Sequence, residues 1–416
     1  MEEDRTAGRR IDFANQLRGI AALSVVWLHL GVHYWHGKGF VFSTVGITTP
    51  PEGQPPPWWA SVSSLVQTAG TGRNYFDFGI FGVALFFLIS GFVIPISLRK
   101  LGRAKFLLAR VVRIYPVYLV SLGVWVLCWA LVRSLSLGEG RPDISWARIA
   151  LQASLVGDFF ALPPFDLVSW TLQVELKFYL VAALLYDTLS RGKMTGVVVF
   201  VLLVLALAIF RQYIGKNSFS WMHGNDYLFI ANQILVHLGF VVYIFCGYLY
   251  ALFWQGAMGK GKLLAGLFFL EGVALLTLLS CGVKGRALVP FFINQTLALS
   301  CFAMAMRLGS PGGFFHRLLD GLARISYPMY TTHLIVGWAT LSLLDILGAP
   351  PVVTQVSGFV LVALVAGLVH LWVEKPSQRL IERLGAHRAG RGMAHPGSGR
   401  ERGWTETRGD GVARWR

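Results

Sequence analysis

A cation and an imidazole share one face of an apolar helix near the start of this chain. In IDFANQLRGIAALSVVWLHLGVHYW (Ile11 to Trp35), Arg18 stands at the entrance of the apolar run and His29 lies deep inside it. At about 100° and 1.5 Å per residue, the interval between them makes roughly three helical turns and about 16 Å, so both side chains fall on one stripe. An imidazole with an unperturbed pKa near 6.5 is suited to take a proton from a hydroxyl at neutral pH. Ionisable groups inside a membrane span face a bundle interior or a wet cavity, and such groups mark functional sites by default. The plain alternative makes Arg18 an interfacial anchor and His29 a hydrogen-bonded packing residue. His33 extends the stripe outward, but two histidines without a nearby third Asp, Glu or Cys indicate no metal site.

Three further groups carry polar chemistry. In RKLGRAKFLLARVVRIYP, Arg110 and Arg113 are three apart and share a helix face, with Arg103 and Lys105 nearby. Such a cluster is either a topology signal or a phosphate cradle, because paired guanidinium groups bind phosphate well. SWTLQVELKFYL places Glu175 and Lys177 in an otherwise apolar run, and a buried Glu175 needs a donor, for which an Arg or His is expected. In ISYPMYTTHLIV, Ser326, Tyr330 and His333 recur at spacings of four and three, giving one polar stripe. His237 and Glu271 are isolated polar residues and read as packing or cavity residues rather than catalysts.

The elements that must hold these groups are membrane helices. Hydrophobic residues make up 55% of the 416 and the mean hydropathy is +0.57, which excludes an ordinary soluble protein. Long apolar runs also exclude a β-barrel, whose strands alternate. The expected fold is all-α and polytopic, with ten spans near 15–35, 76–98, 114–134, 167–186, 195–210, 227–254, 263–281, 287–306, 325–344 and 352–373. An even number puts both termini on one side. The basic residues concentrate in the loops of that side, six of them within 99–113, so the positive-inside rule places both termini in the cytoplasm. The net charge of +16 therefore reflects topology and a basic tail rather than nucleic-acid binding. The first apolar run lacks a small-x-small cleavage site and reads as a retained signal anchor.

A Pro run, PPEGQPPPWW, breaks helix in the first outer loop, and an amphipathic piece near Trp146–Phe160 follows in the second. The four cysteines are scattered without a CxxC pair, so no disulfide framework or zinc site is indicated. Residues 1–376 form one membrane-embedded domain ending where Pro376 marks the last boundary. Residues 377–416 form a Gly- and Arg-rich tail expected to be disordered.

Taken in order, these pieces resemble acyltransferase family 3, multi-spanning membrane enzymes that acylate bacterial surface glycans and related acceptors. The resemblance is carried by Arg18 and His29 with ten residues between them, FFLISGF in span two, and RVVRIYP with Arg110, Arg113 and Pro116. It continues through SWTLQVELKFY with Trp170, Glu175 and Tyr179, then ISYPMYTTH and VEKP. It implies an O-acyltransferase of the bacterial cytoplasmic (inner) membrane that takes acyl-CoA as co-substrate, with no permanently bound cofactor. The acceptor it implies is a hydroxyl of an exopolysaccharide, O-antigen or lipid-linked glycan.

On that basis His29, Arg18 and Glu175 are the expected catalytic residues. Arg110, Arg113, Lys105 and Arg103 are expected at the CoA phosphates, and Trp170, Ser326, Tyr330 and His333 at the substrate. Two routes stay open: direct attack of a hydroxyl deprotonated by His29, or transient acylation of His29. The rival class is a transporter or flippase of a glycan or glycolipid precursor, with the intramembrane Arg, His and Glu as its path. No broken-helix pair or inverted repeat is visible in its favour.

Overall fold

The computed structural model describes residues 2–48, 55–71, 73–140, 144–160, 162, 164, 166–216, 226–283, 285–309 and 313–380. The tail beyond 380, with its expected disorder, and the first half of the Pro run (50–54) lie outside these residues. All regular elements among the described residues are helical.

In chain order the bundle starts with α1 (Glu2–Val26), a π turn (Trp27–His33) and a short α2 (Tyr34–His36). Helices α3 (Lys38–Val45) and α4 (Trp58–Thr68) follow, then the long α5 (Phe78–Leu101) and α6 (Arg103–Ser134). Next come α7 (Trp146–Ala153), a 3₁₀ turn (Gly157–Phe160), α8 (Ser169–Leu184), α9 (Tyr186–Leu189), α10 (Thr195–Lys216) and α11 (Asp226–Trp254). The chain closes with α12 (Lys260–Ser280), α13 (Gly285–Leu308), α14 (Gly313–Ile346), α15 (Pro351–Val369) and a second π turn (His370–Glu374).

Seven helices among the described residues are long and apolar enough to cross a membrane, the last running Pro351–Leu380. The other three spans expected from the sequence fall on α1 with its π turn, on α8 and on α14. Those are the elements that carry Arg18 and His29, Glu175, and His333; α8 is only 16 residues long, and polar residues lower the apolar character of the other two.

Two boundaries differ from the sequence expectation. The basic stretch 99–113 is largely helix, broken only at Gly102, whose φ of +71° favours glycine. Arg110 and Arg113 therefore sit on α6 rather than in a loop. Helix also continues through Pro376 to Leu380. A proline ring clashes with the carbonyl four residues back, and the wide π turn His370–Glu374 just before it relieves that crowding.

Without water in the bilayer core, helices associate through close packing rather than through the hydrophobic effect, so small residues set the contacts. Helix α1 lies between α5 and α14. Antiparallel α5 touches it where Gly82 faces Ala21 and Val25, where Gly79 faces Leu28, and where Ser24 Oγ donates to Phe78 O at 2.6 Å. On the other side Gly19 meets the α14 backbone at Leu319, and Gly337 receives Leu30. Gly91, in the FFLISGF stretch, meets Gly247 of α11: a Cβ on Gly247 would stand 2.9 Å from Gly91 Cα.

Two apolar cores result. One gathers α5, α8 and α10 to α13 around Phe92 and Phe245; the other gathers the π turn, α6, α14 and α15 around Trp125 and Trp338. Val83 and Phe86 pack against both, so the functional residues lie along the seam. Replacing Gly91 with Val forces α5 and α11 apart and is expected to cost about 1–3 kcal/mol. The check is thermal unfolding of detergent-purified protein; a melting temperature equal to wild type would show that the contact is not close.

Candidate active site

Arg18 and His29 do lie along one helix, but the helix changes character between them. The π turn Trp27–His33 widens the backbone, with the Tyr34 N–H bonded to His29 O. Trp338 Nε1 also donates to that carbonyl, at 3.0 Å. Single π turns inside α-helices occur often at functional sites because they re-aim one side chain. Here that side chain is His29.

The His29 ring meets His333. His333 is fully buried on α14, and its Nδ1 lies 2.8 Å from Tyr330 O and 3.2 Å from Met329 O. Carbonyl oxygens only accept, so Nδ1 of His333 carries its proton and, with the ring neutral, Nε2 holds a lone pair. That Nε2 lies 3.1 Å from His29 Nδ1, which in turn lies 2.9 Å from Val25 O. His29 Nδ1 must therefore donate, shared between two acceptors. The consequence is a lone pair on His29 Nε2, the arrangement a general base needs. His29 itself is half-buried, and His33, edge-on to it at 5.4 Å between ring centres, is exposed.

At the other end of the stripe a cavity of about 600 Å³ opens among α1, α6, α14 and the second π turn. Arg18, Arg110, Arg113 and Arg324 line it together with Asp320 and Glu374. Glu374 is occupied by His370 Nδ1 at 2.7 Å and by Gln378 at 3.1 Å. Among the described residues, no carboxylate lies within ion-pair distance of Arg18 or Arg113. Arg110 is 8% exposed, stacks over the Phe106 and Tyr179 rings, and donates to Ser97 Oγ at 2.6 Å, while its Nε has no partner. Buried guanidinium groups without carboxylate partners favour an anion, and their planar forks suit phosphate.

A narrow slot of about 60 Å³ shares Arg18, Arg113, Ser326 and Tyr327 with that cavity and extends inward past Glu175, Phe86 and Tyr330. At about 10–15 Å³ per water-sized group it holds roughly five such groups, which suits a thin chain and not a sugar ring. The Tyr330 ring forms its inner wall, edge-on to Phe86 at 5.5 Å and 6.0 Å from the His333 ring. One aromatic ring thus separates the slot from the histidine pair.

Glu175 takes its hydrogen bonds from hydroxyls instead of the expected Arg or His: Ser90 Oγ at 3.1 Å and the Tyr179 OH. It faces the slot beside Arg18 and Arg113 and makes no bond to His29. Ser326 lines both the slot and the cavity, its Oγ bonded to Ala323 O. Tyr330 OH pairs with Thr171 Oγ1 at 2.7 Å. Trp170 lies outside the slot, against Phe240.

Arg103 is exposed and paired with Asp187 at 3.2 Å, and Lys105 is exposed too, so both stand outside the cavity. His237 is buried, with Nδ1 3.3 Å from Asp158 Oδ2, which also receives Lys177 Nζ at 2.6 Å. That buried cluster ties the 3₁₀ turn to α8 and α11. Glu271 accepts from Thr296 Oγ1 at 2.9 Å. Sequence reading missed the His29–His333 pairing and Arg324. No local signal could have found the first, and the second is one basic residue among many near the start of α14.

The chain is 27% identical over 277 residues, covering 61% of it, to Nodulation protein 10 of Rhizobium leguminosarum bv. viciae, of which 71% is covered. No solved structure matches it. The model of acyltransferase family 3, described as an acyltransferase domain, matches residues 11–371, and with its helices long and apolar enough to span a bilayer the chain belongs to that family of membrane acyltransferases.

Proposed function

We propose that this protein transfers an acyl group from acyl-CoA, bound at the cytoplasmic end of the bundle, to a hydroxyl of a carbohydrate or lipid-linked glycan acceptor at the opposite face. Both termini lie in the cytoplasm of a bacterial inner-membrane protein on this reading. One observation carries the proposal: a slot fit for a thin chain runs from arginines that, among the described residues, have no carboxylate at ion-pair distance to the Tyr330 ring, on whose other side the His29–His333 pair lies. Coenzyme A has the complementary shape, with phosphates at one end and a long thin arm ending in the thioester.

In this mechanism Arg18, Arg110, Arg113 and Arg324 hold the phosphates and the arm enters the slot. His29 Nε2 takes the proton of the acceptor hydroxyl as that oxygen attacks the thioester carbonyl. The carbon–sulfur bond breaks, the thiolate receives the proton from His29, and the products are an ester and free CoA thiol. The transient imidazolium keeps its Nδ1–H bonds to Val25 O and to His333, so His333 acts as a positioning residue. Glu175 fixes the charge balance of the slot opposite Arg18 and Arg113.

The reaction is tested by CoA-thiol release from acetyl-CoA, with and without a glycan extract of the host. Glycan-dependent release is expected, falling at least about a hundredfold in His29→Ala. Equal release by the variant would remove His29 from catalysis, and no release from folded wild type would favour a transporter. One CoA released per protein without acceptor would instead mark transient acylation of His29.

His333→Ala is expected to lower kcat by about tenfold or more at unchanged KM. In His333→Gln an amide oxygen can again accept from His29 Nδ1, and most of the rate should return; a raised KM in both variants would point to substrate contact instead. Arg113→Ala is expected to raise the KM for acyl-CoA roughly 10- to 100-fold, the value of a charge-assisted contact of about 1.5–3 kcal/mol. Arg103→Ala, at an exposed ion pair, should stay within about twofold of wild type.

A further inference from the structure

An apolar pocket of about 110 Å³ adjoins the slot, with Val83 and Phe87 lining both. Its walls are aromatic: Phe240 packs on Phe87 at 5.9 Å, on Trp170 at 5.4 Å and on Phe291 at 6.0 Å. Its depth is fixed by the antiparallel contact of α1 with α5. Gly79 and Ile80 line the pocket, and Gly79 faces Leu28, the residue beside His29. The slot starts at Arg18, so the pocket adjoins it away from that end, at the level of Leu28 and the histidine pair.

One polar group interrupts the apolar lining. Gln295 is 2% exposed, and its Oε1 has no hydrogen-bond partner. An apolar chain pressed against an unpaired buried carbonyl shields it from water without supplying a donor, which is unfavourable. Gln295 therefore sets a limit to how far an aliphatic group can extend.

We propose that this pocket is the acyl-chain site and that the protein accepts short aliphatic acyl groups beyond acetyl, up to about the size of butyryl. The inference rests on the acyl-CoA reading above and deepens it. Space alone supports the length: by the same measure of about 10–15 Å³ per small group, the pocket takes roughly eight water-sized groups, ample for three carbons beyond a carbonyl. The aromatic walls supply the apolar contacts, and acetyl leaves most of the pocket empty.

The test is acceptor-dependent CoA-thiol release from acetyl-, propionyl-, butyryl- and hexanoyl-CoA by wild type, Ala84→Leu, Ile80→Ala and Gln295→Leu, each compared through its own ratio to acetyl. Ala84 and Ile80 line the pocket and not the slot. Wild type is expected to use propionyl and butyryl within about threefold of acetyl and hexanoyl at least about tenfold less, since one methylene out of place in an apolar pocket is worth about tenfold or more. Ala84→Leu, which fills the pocket, should lower the butyryl-to-acetyl ratio about tenfold. Ile80→Ala and Gln295→Leu should raise the hexanoyl-to-acetyl ratio, and they keep the test decisive if Ala84→Leu does not fold.

A wild type confined to acetyl would overturn the proposal, as would chain-length ratios that none of the variants moves while acetyl is still turned over. Absence of turnover with every thioester would overturn the acyl-CoA reading and the pocket assignment together.

Discussion

Unpaired positive charge inside a membrane bundle is the constraint on which the rest of this structure depends. An arginine costs about 3 kcal/mol to insert at the centre of a span and less towards its end. Arg18 and Arg113, half-buried near the ends of their apolar runs, bear part of that cost without a carboxylate at ion-pair distance among the described residues. Arg110 is partly relieved by two aromatic rings and by Ser97, yet its Nε is left unpaired. Such a cluster is tolerable where it lines a polar cavity that an anion can enter, and the cavity of about 600 Å³ supplies one. Glu175, held by Ser90 and Tyr179, supplies a counter-charge inside the slot without closing it.

The helix packing follows from the need to hold that cavity open at one end while bringing two histidines together at the other. Glycine against backbone brings α5 close to both α1 and α11, which fixes the seam where Val83 and Phe86 join the two cores. The π turn then rotates His29 out of simple α-helical register toward His333. Because His333 Nδ1 is committed to backbone carbonyls, the proton positions of both rings are set by α14 backbone geometry. The base is thereby oriented without a second buried charge, which in a bilayer core would add its own desolvation cost.

Sequence legibility divided along the same physical line. That Arg18 and His29 belong to one continuous helical stretch was readable because helical periodicity is local, but the π turn that re-aims His29 off the α-helical stripe was not; the Ser326–Tyr330–His333 spacing on α14 was readable in the same local way. The small residues of FFLISGF were readable as a close helix contact for the same reason, and Gly91 makes one. Partnership across the bundle was not readable: His29 and His333 are 304 positions apart, and nothing near either names the other. Nor could the sequence separate Arg110 and Arg113, which line the cavity, from Arg103 and Lys105, which do not. All four belong to one basic run, and only the start of α6 just after Gly102 decides which way each faces. The donor to Glu175 was expected to be a cation, whereas two hydroxyls supply it, because the nearby guanidinium groups are left free toward the cavity.

The most direct measurement is the structure of the protein with a non-hydrolysable acetyl-CoA analogue in which a methylene replaces the thioester sulfur. The account predicts the phosphates on Arg18, Arg110 and Arg113, the pantetheine arm threaded past Glu175 and Tyr330, and the acyl carbonyl one hydroxyl's reach from His29 Nε2. A bound analogue whose phosphates avoid those arginines, or whose acyl end points away from the histidine pair, would contradict it.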